Sequence, residues 1–81
     1  MNTAQLLDAT IELMERQFDS YNRMYNHFKE QLEDEARRKI PHTGSLMHYA
    51  EELNKYSALI SITEEHLDLV KGIKEANEEE E

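Results

Sequence analysis

The side chains in this 81-residue sequence best suited to proton transfer or metal binding near neutral pH are four histidines, His27, His42, His48 and His66, together with eighteen carboxylates. A di-metal site in a helical bundle needs the spacing Glu-x-x-His, which turns both ligands toward one inward-facing ion. Three residues before His27, His48 and His66 stand Met24, Ser45 and Thr63, so that motif is missing. The reversed pairs His27 with Glu30 and His48 with Glu51 share a helical turn but point away from the apolar side of their helices. The expectation is solvated surface histidines, with no metal and no cofactor. Glu64, Glu65 and Asp68, and likewise Glu30 and Glu33, superficially resemble the paired carboxylates with which all-α enzymes hold magnesium. Those carboxylates must face one another inside a bundle to bridge Mg²⁺ to phosphates; these fall on outer helical faces. Without a glycine-rich phosphate loop, a Ser-His-Asp set or any cysteine, the sequence is read as that of a non-enzyme.

Acidity suggests a different chemistry. Asp8, Glu12, Glu15 and Asp19 recur at steps of 4, 3 and 4, a carboxylate ridge continued by Asn22 and Asn26. Such a row could imitate the phosphates of a nucleic acid and occupy a basic groove on another protein. The plainer reading is a solvated flank that keeps a small protein dispersed, and the same holds for the acidic tail 77–81.

Two helices must carry these groups. Leu7, Ile11, Met14, Phe18, Tyr21, Tyr25, Phe28 and Leu32 step alternately by 4 and 3, which holds side chains on one seam of a helix for four heptads. The pattern predicts a first helix over about 3–39, capped by Asn2 or Thr3, with Asp8, Glu12 and Glu15 toward its positive end and Arg37, Arg38 and Lys39 on its last turn. Pro41 biases Ile40 out of helical geometry, so a turn is expected over 40–45, with Thr43 or Ser45 capping a second helix. A second stripe, Leu46, Tyr49, Leu53, Tyr56, Ile60, Thr63, Leu67 and Val70, predicts that helix over about 46–76. Ser61 and Glu64 have the spacing of a capping box, which would break it near 57–61; the unslipped heptad phase argues for continuity. The expected fold is therefore all-α, an antiparallel two-helix hairpin over 1–76 with heptad-like packing. Four seam tyrosines, Tyr21, Tyr25, Tyr49 and Tyr56, join Phe18 and Phe28 in placing aromatic bulk mid-hairpin.

Composition bounds what the hairpin can do. A chain of this size forms one small domain whose core supplies only ~3–5 kcal/mol without disulfides, metals or association. A formal charge of −9 disfavours direct contact with nucleic acid or anionic membranes, and no apolar run approaches the length of a bilayer span. The absence of cysteine and of a basic-then-apolar leader leads to the expectation of a cytoplasmic protein. Leu6, Leu13, Leu59, Ile62, Leu69 and Ile73 lie off the two stripes, and antiparallel pairing gathers them at the open end, far from Pro41. That surplus predicts a protein interface, by which two hairpins form a homodimeric four-helix bundle. The function expected is a non-enzymatic interaction module: a small acidic regulator, inhibitor or assembly subunit that binds another protein. The alternatives are a nucleic-acid-mimicking inhibitor and a structural subunit of a larger helical complex.

Overall fold

The computed structural model describes residues 2–79 and consists of two long helices, α1 (Thr3–Ala36) and α2 (Thr43–Glu79), packed antiparallel. Helix α1 starts where the Asn2 side chain accepts a hydrogen bond from Gln5 N–H at 2.8 Å, while the Gln5 side chain accepts from Asn2 N–H at 3.0 Å. This reciprocal pair satisfies two of the donors that every helix start leaves unpaired. The first turn holds no acidic residue, so Asp8, Glu12 and Glu15 sit too far along α1 to answer its dipole at close range. Helix α2 runs without a break through 57–61; the Ser61–Glu64 spacing does not start a new helix, because the seam residues on either side already face α1.

The turn lies three residues earlier than the sequence suggested. Helix α1 ends at Ala36, so Arg37, Arg38 and Lys39 belong to a turn over 37–42 rather than to the last helical turn. The cause is the next seam position after Leu32, which is Glu35. Its side chain is 7% exposed and draws in Arg38 at 2.9 Å and the His42 backbone N–H at 2.8 Å, folding the chain back toward the helix it has just left. Pro41 prevents any resumption before residue 42. His42, not Thr43 or Ser45, then caps α2: its Nδ1 accepts from Ser45 N–H at 3.1 Å and its carbonyl from Leu46 N–H at 3.1 Å. Gly44 makes room for this, since a Cβ there would stand 3.0 Å from the imidazole. At the other end α2 continues to Glu79, so the first residues of the expected acidic tail are helical, and Glu80 and Glu81 lie outside the described residues.

The hairpin measures 63 × 17 × 14 Å with a radius of gyration of 18.2 Å, against about 12 Å for a compact domain of this length. That shape has a direct cost in burial. Among the described residues no apolar side chain is fully buried; the two that are buried are Glu35 and Thr63, at 6% and 8% exposure. All sixteen stripe residues except Thr63 are half-buried, as expected where two helices cover one side of each other and leave the remaining sides open.

Candidate interaction face

The seam organises three surfaces. With Leu7 as a d position of α1 and Leu46 as an a position of α2, Asp8 and Glu15 fall at e, as does Lys71, while Lys74 falls at a. Lys74 Nζ is 2.7 Å from the Asp8 carboxylate and Lys71 Nζ is 3.7 Å from Glu15, so the e flanks of both helices line one edge of the hairpin. The g and c positions of both helices are thereby left together on the other face.

That second face holds the off-stripe apolar residues. Leu6 and Leu13 are c positions of α1; Ile62 and Leu69 are c positions, and Leu59 and Ile73 g positions, of α2. Five of the six are exposed, Leu69 most of all at 64% and Leu13 at 58%, while Leu59 is half-buried. On α2 they form a run of their own, Leu59, Ile62, His66, Leu69 and Ile73, at steps of 3, 4, 3 and 4. Helix α2 thus carries a second, largely apolar stripe beside the first, flanked by Leu6 and Leu13 of α1, the pattern that a helix needs in order to touch two neighbours. Two further exposed apolar residues fall elsewhere, Ile40 in the turn and Met47 at a b position.

Toward the turn the same face becomes aromatic and polar. Phe28 packs with Tyr49 and Tyr56 at ring-centroid distances of 6.2 and 6.0 Å, and Tyr56 with Tyr21 at 6.1 Å. His27 and His48 meet the Phe28 ring edge-on at 5.2 and 6.1 Å. These two imidazoles, read from sequence as plain surface groups, are exposed but packed against an aromatic, and His42 is a helix cap. Lys55 stands 4.6 Å above the Tyr56 ring and 2.9 Å from Glu52; hydrogen bonding to Glu52 is the main cause that raises its ammonium above the ordinary 10.5. Among the described residues no group of three or more metal-ligating side chains converges, and no helix is long and apolar enough to cross a membrane.

The carboxylate ridge lies on the opposite, b and e side. Asp8 pairs with Lys74, Glu12 with Arg16 and Glu15 with Lys71, while Asp19 flanks a shallow groove with Phe18, Asn22 and Arg23. Asn22 turns back on its own helix, donating to the Phe18 carbonyl at 2.9 Å. Three of the four ridge carboxylates therefore have cationic partners within this chain.

No family model matches the sequence, and no curated protein or solved structure matches it either.

What the sequence missed were polar members of the seam. Glu35 is reached by continuing the α1 alternation one step past Leu32, and Lys74 and Asn77 by continuing that of α2 past Val70. The signal is the spacing, which polar side chains at those places mask in an apolar pattern.

Proposed function

We propose that this chain is a non-enzymatic protein-interaction module, acting in the cytoplasm as a small regulator, inhibitor or assembly subunit, and that its working unit is a homodimer in which two hairpins form a four-helix bundle. The observation that carries this reading is the distribution of burial: no apolar residue among those described is fully buried, and six large ones that the seam does not use share one face. Covering a fully exposed large apolar side chain is worth ~1.5–3 kcal/mol, and with the five exposed ones already about half covered, leaving that face in water forgoes on the order of 5 kcal/mol, comparable with the stability of a small domain. Cationic neighbours of Asp8, Glu12 and Glu15 within the chain partly neutralise the ridge, which weighs against the nucleic-acid-mimic reading.

Sedimentation at micromolar concentration tests the homodimer. The unmodified chain is expected at twice its 9.6 kDa mass. Ile62→Glu or Leu69→Glu should give monomers, and Glu30→Ala, on the outer face, should leave the dimer intact. A stable monomer of the unmodified chain would refute the homodimer and leave the face to a different protein.

A further inference from the structure

The exposed apolar residues of this face occupy only half of it, Met24 in the other half being half-buried, and that asymmetry constrains how a second copy can sit. Leu6 and Leu13 lie in the first third of α1, and Ile62, Leu69 and Ile73 in the second half of α2, so the five exposed residues fall in the half of the hairpin away from the turn, with half-buried Leu59 close to the middle of α2. The other half of the same face presents His27, Gln31 and Asp34 from α1, and His48, Glu52 and Lys55 from α2. We propose that this face takes a second copy of the chain with both turns at the same end, related by a twofold axis along the length of the hairpins. The inference rests on the interaction-module reading and names the partner and its orientation.

Three observations favour that occupant and that direction. The accessible surface is 6162 Å², about 1,000 Å² more than a compact protein of this mass exposes, and a standard interface takes ~800 Å² from each partner. One more hairpin is thus enough to cover the excess. Charge is distributed to permit it: the acids on this face are already matched, Glu52 to Lys55 at 2.9 Å and Asp34 to Arg37 at 3.8 Å, and the remaining carboxylates lie mostly on other sides. Finally, aligned turns lay the apolar half of one copy on the apolar half of the other. Reversed turns at full overlap would lay it on the Glu52–Lys55 pair, which would lose water without gaining a partner, and sliding the reversed copies until their apolar halves met would halve the covered length. The aligned arrangement stacks α1 over α2 of the second copy and the reversed one stacks like on like; neighbouring helices run antiparallel in both, so the match of apolar halves is what favours alignment.

Because the chain has no cysteine, single labels can be placed at will. Ile40→Cys puts a nitroxide in the turn, at a residue 86% exposed, and Ala9→Cys puts one at an outward position near the open end. Pulsed dipolar spectroscopy on each full-length variant, with helix content checked by circular dichroism, should give label-to-label distances of about 20–30 Å in both, from helix spacings of ~10 Å plus the label arms. Adding Leu69→Glu to either variant should abolish the coupling. A turn-to-turn distance in the Ile40→Cys variant near or above the 63 Å length of the hairpin would overturn the aligned orientation while leaving the dimer standing. Coupling that survives Leu69→Glu would overturn the choice of face. Absence of coupling in a sample that sediments at 9.6 kDa would overturn both this inference and the homodimer beneath it.

Discussion

Glu35 is the residue that decides where the chain turns. A carboxylate at a seam position is costly to bury unless its lone pairs are matched, and here they are matched by the Arg38 guanidinium and the His42 backbone N–H. Glu35→Ala should therefore cost ~1–3 kcal/mol in urea melts, since it leaves the His42 donor without its acceptor; Glu35→Gln, which keeps an acceptor, should cost less. Equal melts for Glu35→Ala and the parent would show that water serves His42 as well as the carboxylate does. Lys74 is a second polar residue on the seam. Its hydrogen bond to Asp8, reinforced by the charge of that carboxylate, raises its ammonium above the ordinary 10.5. A raised folded value means that the stabilisation is fully present below 10.5 and is lost as pH rises through the folded value. The difference in melting temperature between the parent and Asp8→Asn should accordingly be clear at about pH 9 and shrink only as pH rises above 10.5. A difference that persists undiminished in strong alkali would assign the effect to something other than the ammonium.

At the scale of the elements, the hairpin is held by rings near the turn and by ion pairs near the open end. Phe28 touches both tyrosines of α2 that face it and both flanking histidines, whereas Phe18 borders an open groove. Phe28→Ala should cost ~3–5 kcal/mol and more than Phe18→Ala, the size of each cavity setting the difference. Urea melts that rank Phe18→Ala as the worse would contradict that packing. The turn itself needs no glycine, for no residue among those described has positive φ. Glycines inserted after Lys39 should cost little in closure, ~0.6 kcal/mol for a doubled loop, provided that Glu35 still reaches His42. The same melts compare them.

For the whole molecule, shape outweighs composition. A seam between two helices covers less than half of each, and this sequence makes up for that with a second stripe rather than a third helix. Association through that stripe is opposed by −9 charges per chain, so the dimer should tighten as salt is raised, repulsion being largely screened beyond ~8 Å at about 0.15 M ionic strength. Sedimentation equilibrium between low and moderate salt checks this. Weakening by salt would mean that opposite charges, and not apolar contacts, make the joint.

The order of the residues alone determined the helices, their antiparallel return and the identity of the surplus apolar residues. Each of these comes from a period of about 3.5 maintained over four heptads, and such a period is a property of the sequence. The continuity of α2 through Ser61 came from that period too, against the local capping signal. Tertiary structure decided the rest. The turn was placed by Glu35 and His42, whose contact spans seven residues and cannot be weighed before the helices are laid side by side. The pairing of Lys71 with Glu15 and of Lys74 with Asp8 along the e edge joins partners more than fifty residues apart in sequence and is seen only once the helices are packed. That Leu6 and Leu13 share a face with Ile62 and Leu69 follows from the antiparallel return, which sets g beside g; how far each stays open to water was decided only by the packed structure, since half-buried Leu59 and exposed Leu69 belong to the same run.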